Sequence, residues 1–343
     1  MRKLLVLFLA AVLSACAGRT GPACVDAGYL DQSNRDDVLA GGVRMIPVQT
    51  PKGTFRVWTK RVGNNPRIKV LLLHGGPGVT HEYLESFDSH FPGAGIEYYY
   101  YDQLGSYYSD QPTEPELWDL PRFVDEVEQV RVALGLDRSN FYLYGQSWGG
   151  LLAMEYALQH GQNLKGLVIS NMMASIPAYN DYAKNVLMPA MDQTVLREVQ
   201  ALEAAGDYAN PRYMELLIPH HYAHHILRIP PEQWPDPVLR AFKHINPAVY
   251  VPMQGPSELG ASGKLVTWDR TKDLGRIRTP TLVIGARHDT MDPEHMKWMA
   301  SAIPHARYLY CPNGSHLAAY DDRQVYFAGL IRFIQDVDAG RFP

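Results

Sequence analysis

A chain of 343 residues is long enough for one large α/β domain carrying an insertion, and 46% hydrophobic with 20% charged residues describes an ordinary globular composition. The net charge of -4, with no basic run, excludes the electrostatic footprint of a nucleic-acid-binding protein. No internal repeat or low-complexity tract breaks the chain, and its 25 prolines are spread through it with a local cluster near residues 219–256.

The first elements belong to targeting rather than to the fold. Arg2-Lys3 precedes an apolar run from Leu4 to Leu13. Ten helical residues reach about 15 Å, half the hydrocarbon thickness of a bilayer, so the run reads as the core of a signal peptide. It ends in Leu13-Ser14-Ala15-Cys16, which resembles a bacterial lipobox. That resemblance implies cleavage before Cys16, lipid on the cysteine, and membrane contact through that lipid only; an ordinary cleaved signal, leaving a soluble periplasmic or secreted protein, is the alternative. Ala17, rather than Asp, fits sorting to an outer membrane with the protein facing the periplasm. Residues 16–40 are polar and dotted with glycine, which suits a tether. An oxidising compartment would permit Cys24 to pair with Cys311, but one lies in the tether and the other beside a strand, and we favour no disulfide.

Val43–Val48 and Thr54–Lys60 predict an antiparallel hairpin. Ile68–Leu73 is a continuous apolar run, as expected of a strand covered on both faces, and it leads into His74-Gly75-Gly76-Pro77-Gly78. Ile96–Tyr101 predicts the next strand; Asp102 at its end is read as a residue that ties loops together. Leu120–Leu134 is an amphipathic helix with Phe123, Val127, Val130 and Leu134 on one face, ended by Gly135. A strand over Asn140–Tyr144 then meets Gly145-Gln146-Ser147-Trp148-Gly149-Gly150, and Leu151, Leu152, Met154, Tyr156 and Leu158 recur at helical spacing after it. Gly166–Ser170 is a further strand. From residue 171 the alternation stops for about a hundred residues rich in Met, His, Tyr and Pro, which predicts a helical cap over 171–270. The core, 41–170 and 271–343, resumes with a strand at Thr281–Gly285, a helix near Pro293–Ala302, a strand at Arg307–Tyr310 and a final helix from Asp322 to Val337.

A serine on a sharp turn between strand and helix, with glycine two residues to either side, is a nucleophile elbow. Its hydroxyl needs a base and the base needs an orienting acid. Asp289 and His316 follow the next two strands in the chain order Ser, Asp, His, and so fall at strand carboxyl ends where a doubly wound sheet gathers its site. His288 and Asp292 share the acid loop, and His305 precedes its strand, so these are weaker choices. The glycine-rich loop after the first parallel strand is where an oxyanion hole is built, with the N–H groups of Gly76 and Trp148 as candidate donors. His220, His221, His224 and His225 contain two i, i+4 pairs, but no carboxylate or thiol lies near them; the serine mechanism requires no metal or cofactor, and cap packing is the favoured reading.

These motifs together resemble the proline iminopeptidases of the α/β-hydrolase superfamily. The likeness spans nearly all of residues 40–340 and rests on His74–Gly78, Tyr101-Asp102-Gln103-Leu104-Gly105-Ser106, Gly145–Gly150, the Asp289 loop and Gly314-Ser315-His316. It implies an α/β-hydrolase fold and the release of an N-terminal residue, often proline, from short peptides or amides. It also implies a glutamate in the second half of the cap that holds the substrate's ammonium group, a position matched by Glu258 in Tyr250–Glu258. Some members carry a second glutamate directly after the catalytic aspartate, where this chain has Thr290. Tyr83 and Tyr250 are candidate pocket residues. An amino-acid amidase or small esterase with the same triad, and a silent lipoprotein that only binds peptides, are the competing functions.

Overall fold

The computed structural model describes residues 27–342, so the expected signal segment, Cys16 and Cys24 lie outside the described residues. Apolar residues on alternate positions of β1 (Val43–Thr50) and β2 (Gly53–Val62) pair antiparallel, with Thr50 opposite Gly53 at the turn. Six more strands follow: β3 (Lys69–Leu73), β4 (Glu97–Asp102), β5 (Phe141–Gln146), β6 (Gly166–Ser170), β7 (Thr281–Ala286) and β8 (Ala306–Cys311). They form one sheet of order β1-β2-β4-β3-β5-β6-β7-β8, in which β2 alone runs against its neighbours. Every residue of β3 to β7 is buried, which is why these strands read as unbroken runs rather than alternations. Strand boundaries differ from the sequence expectation by one or two residues.

The period of two splits each strand between two cores. Leu71, Leu73 and Leu143 face a layer containing Phe123, Val127, Leu152 and Met299, from helices Leu120–Ala133, Trp148–His160 and Pro293–Ala302. Val70, Leu72 and Tyr144 face the other layer, containing Phe87, Phe327 and Leu330, the last two from helix Arg323–Asp338. Burying each such aliphatic or aromatic side chain contributes about 1.5–3 kcal/mol.

β3 lies between β4 and β5, so the winding direction reverses there, and ligands bind outside the strand carboxyl ends at such a point. Leu73 is in register with Gly145. That pairing sets the loop after β3 beside the turn after β5.

Between β6 and β7 the described residues form helices and loops, with one isolated bridge, Ser175 to Asp269. Prolines start helices Pro211–Leu217 and Pro247–Met253, where a missing N–H is harmless, and Pro219 sits in a π-helical turn, Ile218–Tyr222. The insertion is fastened to the core by hydrogen bonds and ion pairs. Asn246 donates from its backbone to Gly78 (2.8 Å) and from its amide to Gly105 (2.7 Å). Arg240 meets Glu82 at 2.6 Å and Glu85 at 2.5 Å, and His244 Nδ1 meets Glu82 at 2.7 Å.

The expected tether is corrected over its second half. Residues 28–40 pack on the core: Tyr29 is buried and donates to the Ile96 carbonyl (3.1 Å), and Arg61 forks onto buried Asp37 at 2.5 and 2.9 Å. A side chain at Gly63 would come within 2.3 Å of the Tyr29 ring, so that glycine makes the socket. One aromatic and two ion pairs, Asp37 with Arg61 and Arg35 with buried Glu97, anchor a segment whose average composition is that of a linker. No helix among the described residues is long and apolar enough to cross a membrane.

Candidate active site

Ser147 joins β5 to helix Trp148–His160 at φ 56°, ψ -127°, a conformation that costs a non-glycine residue on the order of 1–3 kcal/mol. Its flanks explain why the turn holds. A side chain at Gly145 would lie 1.9 Å from the Gly149 carbonyl oxygen, and one at Gly149 would lie 2.2 Å from that of Leu73. The backbones of β3, β5 and the helix are therefore in contact, and the Ser147 N–H is tied to Ser170 O at 3.0 Å. Trp148 is the first helical residue, so its N–H is one of the four donors that a helix start leaves unused. The Trp148 indole donates to Gln103 Oε1 (2.8 Å), and Gln103 Nε2 donates to His74 O (3.1 Å), bracing the glycine loop from β4. Burial pushes the His74 imidazole down to about 4, so it stays neutral, with Nδ1–H on Gly75 O and Nε2 accepting from Gln103 N.

The candidate acid and the candidate base are brought together. His316 Nδ1–H donates to Asp289 Oδ1 at 2.7 Å. That carboxylate is wholly buried and also accepts from Met291 N (3.1 Å), Thr290 Oγ1 (3.3 Å) and Asn171 Nδ2 (2.7 Å, on Oδ2). Burial lowers the His316 pKa, but the charge and hydrogen bond of Asp289, joined by the charge of Glu258, outweigh it and hold the imidazole above its usual 6.5. With Nδ1 bonded to Asp289, Nε2 is the nitrogen available to Ser147, and both residues line one cavity. The weaker choices are engaged elsewhere: Asp292 caps helix Pro293–Ala302 through Glu294 N, and the His305 carbonyl accepts from Thr281 N at 2.8 Å. Asp102, buried, accepts from the backbone and ring of His81, both at 2.8 Å.

The cavity holds about 490 Å³. Gly76, Tyr83, Ser147 and His316 line it from the strand ends, and Tyr222, Phe242, Tyr250 and Glu258 from the cap. The Tyr83 hydroxyl accepts from Gly75 N and donates to Gln146 Oε1, both at 2.7 Å, so Gly75 is engaged; Gly76, the candidate donor, stands at φ 118° before a cis peptide to Pro77. Glu258 shows part of its surface to the cavity while its carboxylate lies within the protein interior. Burial raises its pKa; the His316 charge and the Tyr250 hydroxyl, which donates to Oε1, oppose that, and Asp289 adds to it. Its backbone is held too: Tyr179 Oη donates to the carbonyl (2.8 Å), as does His221 Nε2–H (3.2 Å), and Glu258 N donates to Tyr222 Oη (3.2 Å). Thr290 is buried against Asp289 and does not reach the cavity wall.

Sequence reasoning missed several of these supports. Asn171 directly follows β6 at φ 51°, a conformation asparagine tolerates, and an asparagine directly after a parallel strand was a usable signal. The histidine cluster works through hydrogen bonds: His221 holds Glu258, and His225 Nδ1–H donates to His288 O at 3.0 Å while its own carbonyl accepts from His316 N at 2.9 Å.

The family described as alpha/beta hydrolase fold matches residues 69–322. The proline iminopeptidase of Elizabethkingia meningoseptica is 59% identical over 300 residues, covering 87% of this chain and all of that protein. That of Flavobacterium johnsoniae is 57% identical, covering 86% and 98%. Among solved structures, VinJ superposes with a TM-score of 0.79 at 30% identity, covering 86% of this chain and 99% of VinJ. The proline iminopeptidase of Mycobacterium smegmatis gives 0.76 at 27% identity, covering 87% and 99%. With an eight-stranded sheet, an elbow serine and a covering insertion, the chain belongs to the proline iminopeptidase family of α/β-hydrolases.

Proposed function

We propose that the protein is a serine aminopeptidase that releases the N-terminal residue, proline by the name of its relatives, from short peptides or aminoacyl amides. The substrate's ammonium group rests on Glu258, which sets the first carbonyl over Ser147. His316 Nε2 takes the hydroxyl proton as Ser147 Oγ attacks, and the Gly76 and Trp148 N–H groups receive the oxyanion. Asp289 holds the imidazolium in place. The amide C–N bond breaks as His316 returns the proton to the leaving amine, and water, activated by the same base, then frees the residue from the ester on Ser147.

The observation that carries this reading is Glu258. A carboxylate set into the wall of an apolar cavity that also holds the elbow serine and its base is suited to a cationic substrate end. A panel of proline arylamide, prolinamide, prolyl peptides and simple esters tests it. Wild type should release proline from the first three, Ser147→Ala should release none, and a preference for simple esters would overturn the assignment in favour of an esterase.

For the N-terminus we propose a lipoprotein anchored at the outer membrane through Cys16, supported by Arg2-Lys3, the apolar run to Leu13 and the lipobox-like Leu13–Cys16. Mass spectrometry of the mature N-terminus should find a diacylglyceryl cysteine at Cys16; an unmodified start elsewhere would refute it.

A further inference from the structure

The cavity exceeds what a first residue needs. At about 490 Å³ it falls within the roughly 300–1,000 Å³ that houses a whole drug-sized ligand. This inference rests on the reading above, in which the ammonium sits on Glu258 and the carbonyl on Ser147. An α-amino acid spaces those two groups by a single carbon, so the first residue is pinned between them. A proline ring folds back onto its own nitrogen and cannot grow outward. The remaining wall is supplied by the cap through Tyr208, Met214, Val238, Phe242 and Ile245. Those residues stand on or beside helices Pro211–Leu217 and Asp236–Lys243 and are almost entirely apolar.

The charges point the same way. No Lys or Arg lines the cavity among the described residues; Glu258 and His316 are its only acidic or basic side chains. The terminal carboxylate of a free dipeptide would enter that space with no cation to meet it, and an unpaired buried charge is strongly disfavoured. We propose that the preferred substrates carry an uncharged, bulky apolar group beyond the scissile bond. The chemical class is an aminoacyl amide of an apolar amine, or a peptide with an apolar second residue and a blocked carboxyl end.

The test is a kcat/KM series in the wild-type enzyme. Proline n-alkylamides from methyl to hexyl should gain up to about fourfold per methylene, the factor equivalent to about 0.8 kcal/mol for each buried CH₂. Pro-Leu-amide should exceed Pro-Leu by tenfold or more. Met214→Lys, which sets a cation in the wall, should narrow or reverse that second ratio. A flat alkyl series, or free dipeptides cleaved as well as their amides, overturns the inference while leaving the aminopeptidase reading intact. A gain that follows the size of the first residue overturns it as well. Failure to cleave any proline amide while esters are cleaved overturns both.

Discussion

On the sheet side of the cavity each group of the proposed triad stands at the carboxyl end of a strand: Ser147 after β5, Asp289 after β7, His316 after β8. Their positions follow from backbone register, with β5 bonded to β6, β6 to β7 and β7 to β8, and the elbow admits no side chain at Gly145 or Gly149. On the cap side, Tyr222, Tyr250 and Glu258 stand on short or proline-broken segments, and side-chain hydrogen bonds hold them together. One wall is fixed by the chain's own backbone. The other is fixed by contacts that a few substitutions can redraw. In the proposed function the first wall carries the chemistry and the second the choice of substrate, so changes on the sheet side should act on kcat and changes on the cap side on KM.

The largest effect should come from Ser147→Ala, with a loss on the order of 10⁶-fold in kcat and little change in substrate affinity by equilibrium binding. Asp289→Asn should follow at about 10⁴-fold, because the amide no longer fixes the imidazole tautomer. Steady-state kinetics that showed either change acting mainly on KM would break the division between the walls.

Glu258→Gln should raise KM for free-amino substrates by about 10- to 100-fold, the worth of a charged hydrogen bond of roughly 1.5–3 kcal/mol, with a much smaller change in kcat. It should also move the pH profile. In the proposed mechanism neutral His316 is the base, so kcat/KM should fall as pH drops through its pKa, which is raised above the usual 6.5. The Glu258 charge helps to hold it there, and removing that charge should shift the acid limb towards lower pH. An acid limb that stayed in place would uncouple the two groups. Tyr250→Phe, which removes the hydroxyl on Glu258 Oε1, should have the smallest effect, about three- to tenfold in KM.

The same division decides what was legible in the sequence. Gly145–Gly150, His74–Gly78 and the Asp289 and His316 loops are local: a turn flanked by a buried strand reveals itself in neighbouring residues. The cap could be recognised from the hundred-residue gap in the βα series, but its internal contacts could not. Tyr179, His221 and Tyr222 converge on Glu258 from 79, 37 and 36 positions away, and each alone reads as an ordinary core side chain. Asn171 reaches Asp289 across 118 positions. Residues 28–40 failed for a related reason, since Tyr29 and Asp37 find their partners at Ile96 and Arg61, in strands or loops that composition does not connect to them.

The central claim, that Glu258 selects a free amino terminus for the serine centre, meets its most direct test in a matched pair of substrates. The measurement is kcat/KM for proline arylamide and for its N-acetylated form, in wild type and in Glu258→Gln. The account predicts that wild type strongly prefers the free form and that the substitution collapses the preference while the acetylated substrate is turned over no more slowly. An unchanged preference in the variant would contradict it.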